Sequence, residues 1–259
     1  MPEVDVLIRG GQVVDGTGAP PRRADVAVRG DRIVAVEGDL GALATREMID
    51  ATGCYITPGI VDIHSHADWT ITVDGGAESA VLQGISTIVP GQCGHGVAPV
   101  ADPAHLRVCA FGLDRDTDAA VPWRTFGAWL ERLRDLGTAV TVPPLVAHGA
   151  IRLATMGTST AAADDDQIQA MRGHVEEAMA AGAAGISTGL EYQPGQSASQ
   201  AELTIVAEIA GAHDGIYATH SRNRTSRIEQ SAVEAIDIAH QSGCRLQLSH
   251  FLPRPYVEK

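Results

Sequence analysis

The apolar stretch ITPGIVDIHSHAD ends in two histidines that are one residue apart, His64 and His66. Residues i and i+2 of a β-strand point to the same face, so the two imidazoles are predicted to share one face. The residues before them, Ile60, Val61 and Ile63, are predicted to enter a core. Two imidazoles side by side at the end of a buried strand have the geometry of metal ligands. The stretch therefore predicts metal chemistry at this strand end.

Further histidines and one cysteine follow other apolar segments, namely Cys93 in STIVPGQCG, His148 in PPLVAHG, His220 in GIYATHSR and His250 in CRLQLSH. In β/α barrels the site lies at the carboxyl ends of the strands, so these side chains are predicted to converge. Taken singly, His148 is interpreted mainly as a hydrogen-bonded structural residue, and Cys93 as a small buried hydrophobe. The joint pattern favours metal ligation.

The pattern of apolar residues differs between two parts of the chain. Residues 4–55 contain short alternating apolar segments separated by glycine turns, which predict a small antiparallel sheet. From Pro58 onward, short apolar strands alternate with amphipathic helices, as expected of a parallel β/α domain. Strands are predicted at residues 59–66, 86–94, 139–149, 183–190, 215–222 and 244–250, and helices at 123–137, 165–182, 199–215 and 227–243.

We therefore predict an α/β chain with a small N-terminal β part, residues 1–57, and a (β/α) TIM-like barrel part, residues 58–259. A closed barrel needs eight strands, and about six are present before the chain stops, so the barrel is expected to be incomplete. Asp164 to Asp166 favour the start of a helix, and Gly182 and Gly243 favour helix ends.

Composition narrows the possible functions. The formal net charge of -13 argues against nucleic-acid binding, because a phosphate backbone needs a positive surface. The opening MPEVDVLIRGG lacks a basic segment followed by a long apolar one, so we expect no signal peptide, no membrane anchor and a cytoplasmic location. The cysteines have no paired spacing, so they are expected to be reduced thiols.

Six motifs together carry a family resemblance. PGIVDIHSHAD, GISTIVPGQCG, PLVAHGAIR, GISTGLEYQPG, YATHSRNR and LQLSH resemble, in this order, the motifs of D-aminoacylases, the N-acyl-D-amino-acid deacylases of the amidohydrolase superfamily. The similarity spans essentially the whole chain, and GQCG and STGLEYQPG are much narrower signals than the HSH block. The resemblance implies a metal-dependent hydrolase that cleaves the linear amide of N-acyl-D-amino acids, with a barrel joined to a small β-sandwich built from both chain termini.

The resemblance also implies a ligand set. His64 and His66 would hold one metal, and Cys93, His220 and His250 would hold a tighter zinc, with the thiolate where other amidohydrolases place a carboxylated lysine. A thiolate with two neutral imidazoles suits zinc, which lowers the pKa of bound water to about 7 and polarises the amide carbonyl.

The use of lysine supports this ligand set independently. Of the 19 basic residues, the only lysine is Lys259, at the very end of the chain. A carboxylated lysine from a barrel strand is therefore unavailable, which weakens hydantoinase-like and dihydroorotase-like interpretations.

Substrate contacts are implied at Tyr192, in EYQPG, and Arg222, in HSRNR, where an arginine can hold a carboxylate with two hydrogen bonds. The alternatives are packing for Tyr192 and a salt bridge for Arg222. The aspartate that serves the family as general acid and base lies beyond residue 259, so no catalytic residue is assigned. The chain departs from the family at Leu252 and Pro253, where a lysine is common, and at Arg224, where an acid is common.

Three functions remain open at this stage. The first is zinc-dependent deacylation of a small-molecule N-acyl-D-amino acid, and the second is hydrolysis of another linear or cyclic amide. The third is a non-catalytic zinc-binding remnant whose barrel is closed by a partner or by a missing C-terminal segment.

Overall fold

The computed structural model describes residues 3–41, 43–113 and 121–255. The chain divides into two compact units, Met1–Gly59 and Ile60–Lys259. Among the residues described, no helix combines the length and the apolar character needed to cross a membrane.

The first unit contains a five-stranded sheet with the order β3-β2-β1-β4, in which β5 also pairs with β1. Its strands are β1 (Val4–Val13), β2 (Arg22–Arg29), β3 (Arg32–Glu37), β4 (Thr45–Asp50) and β5 (Tyr55–Ile56). Val4, Leu7 and Ala27 form a small buried cluster of this unit.

The sheet is mixed, so the prediction of a purely antiparallel sheet was wrong. β2 pairs antiparallel with β1 and β3, as short turns require, but β4 and β5 run parallel to β1. The reason lies in the connections. β4 follows β3 in the chain but lies at the opposite edge of the sheet, so the chain crosses the sheet between them and β4 joins β1 in the same direction.

The second unit alternates strands and helices. Its strands are β6 (Ile60–Asp62), β7 (Ile85–Ile88), β8 (Val146–Ala147), β9 (Gly185–Gly189), β10 (Ile216–His220) and β11 (Arg245–Leu248). Its helices are α1 (Asp68–Val73), α2 (Glu78–Val81), α3 (Leu106–Cys109), α4 (Phe126–Leu136), α5 (His148–Met156), α6 (Asp165–Ala181), α7 (Gln200–Ala212) and α8 (Ile228–Ser242). Short 3-10 turns lie at Pro103–His105 and Gly195–Ser197.

All strand pairs of this unit are parallel. β11, β10, β9 and β8 form one sheet in that order, and β6 pairs with β7 in a second. A parallel bridge between Thr87 and Thr141 links β7 to the segment before β8. Each predicted strand segment contains an observed strand, and the four predicted helices correspond to α4, α6, α7 and α8. An α/β architecture is thus confirmed.

The segment 139–149 is a much shorter strand than predicted, because two prolines interrupt it. Pro143 and Pro144 have no backbone N–H and cannot donate to a neighbouring strand. The chain pairs before them, at Thr141, and again after them, in β8. The Pro144 carbonyl still accepts a hydrogen bond from the N–H of Ala184, at 2.8 Å. His148 therefore begins a helix, α5, directly after the two residues of β8.

The prediction that Ile60, Val61 and Ile63 enter a core was also wrong. Their exposed fractions are 53%, 53% and 57%. β6 pairs with β7 along one edge, and within the described residues no strand pairs with its other edge. The apolar side chains at this edge consequently remain uncovered.

The helix boundaries follow the predicted capping signals. The Asp164 side chain accepts from the N–H of Gln167, and the Gln167 side chain accepts from the N–H of Asp164, which forms a capping box at the start of α6. Gly182 and Gly243 end α6 and α8 in the left-handed region, at φ 113° and 72°. The predicted helix start and both glycine ends are confirmed.

One hydrophobic cluster forms most of the core of the second unit. α4 buries Phe126, Trp129 and Leu133, which lie three and four residues apart on one helix face. They belong to the same cluster as Ile186 of β9 and Tyr217 of β10, both fully buried. This packing of helices against the sheet fixes the strand ends, where the polar side chains gather.

A buried ionic network connects α5 to α7. The carboxylate of Glu202 accepts from Arg152 at 2.6 and 2.7 Å and contacts Nε2 of His148 at 2.9 Å. Burial raises the pKa of Glu202, but the contacts with His148 and Arg152 outweigh it and hold the pKa below the ordinary value of 4.5. His148 is thus a hydrogen-bonded structural residue, as the interpretation from sequence favoured.

Replacing this carboxylate should destabilise the fold. Glu202→Gln leaves the fully buried Arg152 without a counter-charge and should lower the free energy of unfolding at pH 7 by about 3 kcal/mol. A lowered folded-state pKa means that the contribution is complete above the ordinary carboxyl pKa of 4.5 and is lost as the pH falls through the folded value. Urea unfolding at pH 7 and pH 4 measures both effects.

Glu208→Gln on the same helix is the matched control. Glu208 is half-exposed and lies 3.8 Å from Arg172, so its replacement should cost less than about 1 kcal/mol. Equal losses in the two variants would contradict the assigned role of Glu202.

Candidate metal centre

The loop after β6 presents His64 and His66. The N–H of His64 donates to the Asp62 carboxylate at 3.0 Å, and the N–H of Ser65 donates to the Val89 carbonyl at 3.2 Å. The two imidazole centroids lie 5.3 Å apart. The rings are neighbours as predicted, but they extend from a turn, because the strand ends at Asp62.

The loop after β7 presents Cys93 in a left-handed conformation, with φ 57°. Three side chains hold this loop in place. Gln92 donates to the Ile63 carbonyl at 2.9 Å, and Tyr192 donates to the Cys93 carbonyl at 2.7 Å. The Ser187 hydroxyl accepts from the N–H of Gly94 at 3.0 Å and donates to the Gly91 carbonyl. The cysteine loop is thereby tied to the histidine loop and to β9.

Within the described residues, His64, Cys93 and His250 form a group whose ligand atoms all lie within 4.8 Å of one another. The Cys93 Sγ atom lies 3.4 Å from His64 Nε2 and 3.3 Å from His250 Nε2. Sulfur and nitrogen ligands of a tetrahedral zinc, at about 2.3 and 2.1 Å from the ion, stand about 3.6 Å apart. The spacing and the donor types therefore fit a zinc ion.

His220 lies beside this group but has a different partner. Its ring centroid is 4.6 Å from that of His250, whereas its Nε2 atom contacts Glu191 at 2.8 Å. The resemblance implied the set Cys93, His220 and His250. The structure places the ligand atoms of His64, Cys93 and His250 within 4.8 Å of one another. The contact with Glu191 occupies Nε2 of His220 and leaves its Nδ1 atom as the nitrogen that could bind a metal.

The ring of His66 lies beside those of Phe111 and His95. Its ring centroid lies 4.6 Å from that of Phe111 and 6.0 Å from that of His95. Its Nδ1 atom is buried and has no hydrogen-bond partner among the described residues.

The protonation of the group is set by burial. Burial lowers the pKa of His64 to about 4, with smaller effects from His250 and His66, and it also lowers the pKa of His66 to about 4. Burial raises the pKa of the Cys93 thiol to about 11. At neutral pH these two imidazoles are neutral, with lone pairs available for a metal, and the thiol releases its proton when a cation binds.

Glu191 is a carboxylate beside this group that contacts the imidazole of His220. It accepts from Arg224 at 3.2 Å and lies 3.4 Å from Arg254, in addition to its contact with His220. Burial raises its pKa, but the hydrogen bond from His220 and the two arginines outweigh burial and keep the pKa low. Glu191 is therefore ionised at neutral pH.

The two expected substrate residues differ in their surroundings. Tyr192 lies at the group, with its ring 5.1 Å from that of His220. Arg222 forms a bidentate pair with Glu234 at 2.9 to 3.0 Å and donates to the carbonyls of Gln196 and Ala198. In this structure Arg222 therefore forms a salt bridge with Glu234, which is the alternative to a substrate contact.

Sequence reasoning did not single out three residues of this region. His95 is half-buried, with its Nδ1 atom 3.2 Å from the Tyr192 hydroxyl. Its position, two residues after Cys93, could have indicated that it lies at this site. Glu191 precedes Tyr192 in the motif EYQPG and could have been weighed with it. Ser187 gives no signal in the sequence, because its role depends on the loop that folds over it.

The sequence of residues 47–256 matches the amidohydrolase family. The chain belongs to this family. It is 37% identical over 248 residues to the N-acyl-D-glutamate deacylase of Alcaligenes xylosoxydans xylosoxydans, a match that covers 96% of this chain and 50% of that protein. The D-aminoacylase of the same organism is also 37% identical, over 95% of this chain and 50% of its own length. The resemblance inferred from the motifs is confirmed.

Solved structures agree with these relatives. A crystal structure of D-aminoacylase superposes with a TM-score of 0.86 at 38% identity and covers 94% of this chain. The N-acyl-D-glutamate deacylase of Bordetella bronchiseptica, solved with zinc and a phosphonate inhibitor, has a TM-score of 0.86 at 36% identity over 95% of this chain. The chain spans about half the length of these relatives.

Removing the Ser187 hydroxyl should destabilise the cysteine loop. Ser187→Ala leaves the N–H of Gly94 and the carbonyl of Gly91 buried without this partner, which should lower the free energy of unfolding by about 1–3 kcal/mol. Chemical denaturation of the metal-free chain measures this loss.

Ser249→Ala is the control. Ser249 is equally buried, but its hydroxyl has no hydrogen-bond partner among the described residues, so the same deletion should cost almost nothing. If Ser187→Ala were as stable as Ser249→Ala, the proposed clamp on the loop would be wrong.

Proposed function

We propose that this chain carries the zinc centre of an N-acyl-D-amino-acid deacylase, an enzyme that hydrolyses the linear amide of a small N-acyl-D-amino acid. The observation that carries the proposal is the group of Cys93, His64 and His250, in a member of the amidohydrolase family whose relatives are named for this activity. Because the chain spans about half of those relatives, the activity of the whole protein is part of the proposal.

Cys93 and His250 are the proposed core of the zinc site, with a further imidazole from His64, by geometry, or from His220, by resemblance. His66, beside His64, is proposed for a second and weaker metal. Zinc bound by three protein ligands supplies a coordinated water of lowered pKa and polarises an amide carbonyl.

The residues of the chain shape this centre. Tyr192 holds the Cys93 carbonyl through its hydroxyl, so the thiol stays directed at the two imidazoles, and its ring is placed to contact substrate next to His220. Arg222 is proposed to bind the substrate carboxylate. For that it must exchange the carboxylate of Glu234 for that of the substrate, which preserves its charge pairing.

We further propose that residues 58–259 form part of a (β/α) barrel with about six of its eight strands, and that residues 1–57 belong to a small β-sandwich. The parallel pairing within both sheets, and the Thr87–Thr141 bridge between them, support the first part. The second part is supported by exposed apolar side chains on β3 and β4, such as Ile33 and Met48, which a second layer would cover.

Alanine variants test the ligand assignment. Cys93→Ala and His250→Ala should abolish tight zinc binding, measured as zinc retained against a chelator, because each removes a donor atom of the group. His64→Ala and His220→Ala identify the third ligand, since only the true ligand should produce a comparable loss. Stoichiometric zinc in Cys93→Ala would show that the centre is misassigned.

The reaction is tested with N-acetyl amino acids of both configurations. We expect the zinc-loaded protein to release acetate from the D substrate and not from its L counterpart. A coupled assay that detects the free amino acid measures this release. Arg222→Lys should raise KM more than it lowers kcat, because a lysine keeps the charge but loses the bidentate geometry. Stoichiometric zinc without turnover on either substrate would favour a non-catalytic zinc protein.

A further inference from the structure

Phe111 is a half-exposed aromatic residue at the edge of the proposed metal centre. Its ring centroid lies 4.6 Å from that of His66 and 4.6 Å from that of His95, and 48% of its surface is exposed. A single exposed apolar side chain is ordinary on a protein surface. Its contacts with two imidazoles of the centre give this one a specific position, with an apolar surface open toward whatever the centre binds.

Backbone contacts fix Phe111 beside the loop that carries His95. The N–H of Gly96 donates to the Cys109 carbonyl at 2.8 Å, and the Cys109 thiol donates to the Gly96 carbonyl at 3.2 Å. Burial raises the pKa of this thiol to about 12, so the thiol keeps its proton and acts as a donor. Because Phe111 follows Cys109 by two residues, these paired contacts hold its ring against that of His95.

Among the described residues, the rings around the centre form a closed circuit. Neighbouring centroids are 4.6 to 5.3 Å apart in the order His64, His66, Phe111, His95, Tyr192, His220, His250 and back to His64. Phe111 is the member of this circuit without a polar atom. Two rings separate it from His220 in one direction and from His250 in the other, so it lies on the opposite side of the circuit from these two histidines.

This position corresponds to one end of the proposed substrate. In an N-acyl amino acid the carboxylate belongs to the part joined to the amide nitrogen, and the acyl group lies on the other side of the amide. The proposed carboxylate site, Arg222, follows His220 by two residues. With the amide at the centre and the carboxylate on the His220 side, the acyl group extends toward the opposite side, where Phe111 lies.

We propose that Phe111 is a specificity-determining residue that packs against the acyl group of the substrate and favours apolar acyl chains longer than acetyl. This inference rests on the proposed deacylase function and names the part of the substrate that this side of the centre selects. An acyl chain on the exposed surface of Phe111 is partly removed from water, which favours binding in proportion to the apolar area buried.

Two isomeric substrates separate the acyl group from the amino-acid side chain. N-pentanoyl-D-alanine and N-acetyl-D-norleucine contain the same atoms, and each adds a propylene unit to N-acetyl-D-alanine, on opposite sides of the amide. Burial of part of the longer acyl chain should raise kcat/KM of the zinc-loaded protein about tenfold for N-pentanoyl-D-alanine over N-acetyl-D-alanine. Phe111→Ala should lose this gain and leave kcat/KM for N-acetyl-D-norleucine unchanged.

Phe251→Ala is the matched control. Phe251 is 38% exposed, and in the described part of the chain its ring makes no contact with the circuit. This variant removes the same side chain from the loop after β11 and should keep the preference for the pentanoyl substrate. Phe111→Leu retains an apolar side chain and should keep part of the preference, which separates the loss in Phe111→Ala from a loss of folding.

A second readout needs neither zinc nor turnover. The chain has three phenylalanines, so fluorinated phenylalanine gives a simple fluorine-19 spectrum, in which the signal missing from Phe111→Leu identifies Phe111. In the metal-free chain, N-pentanoyl-D-alanine should shift this signal at concentrations at which N-acetyl-D-norleucine does not. The signal of Phe126, which is buried in the core, should not move with either compound.

The outcomes separate this inference from the deacylase function. Turnover with equal losses on all three substrates in Phe111→Ala would assign the ring a structural role and overturn the inference, while the function stands. A loss confined to N-acetyl-D-norleucine would place the ring at the amino-acid side chain and would also overturn it. A loss confined to N-pentanoyl-D-alanine supports it.

A chain without turnover is informative as well. A Phe111 signal that still shifts with N-pentanoyl-D-alanine alone would overturn the deacylase function and retain the ring as a binding surface for acyl groups. Absence of both the turnover and the shift would overturn both proposals.

Discussion

The candidate centre depends on a close approach of three backbone segments around Cys93. Gly91 and Gly94 flank the cysteine at φ 82° and 68°, and a Cβ atom at either position would collide with backbone, at Leu145 or Gly189 respectively. Only glycine fits both the conformation and the space. The two glycines of the motif GQCG are therefore required by packing. They let the cysteine loop fit between the backbone at Leu145, just before β8, and the backbone at Gly189, the last residue of β9.

Charge pairing is the second constraint on this region. Neutral imidazoles and a protonated thiol are what burial alone would produce. Ionised groups remain beside them only because they neutralise one another, as Glu191 does with Arg224 and Arg254.

Local signals predicted much of the fold and part of the centre. The capping box at Asp164, the glycine ends of α6 and α8 and the positions of His64, Cys93 and His250 follow from patterns within a few residues. What failed depends on distant contacts. A connection that crosses the sheet decides the parallel pairing of β4 with β1. The exposure of Ile60 depends on which strands pair with β6. The contact of His220 with Glu191, 29 residues earlier, likewise joins parts of the chain that no spacing rule relates, and it leaves the role of His220 as a prediction.

The residues of the proposed metal centre all belong to the second unit. The donor atoms of the proposed centre all lie between His64 and His250, on loops whose backbone hydrogen bonds are made within the same unit. Ligand geometry can thus be specified by these residues alone, although the chain spans about half the length of its relatives. The zinc affinity of the chain therefore reports on its own sequence, whether or not the chain turns over a substrate.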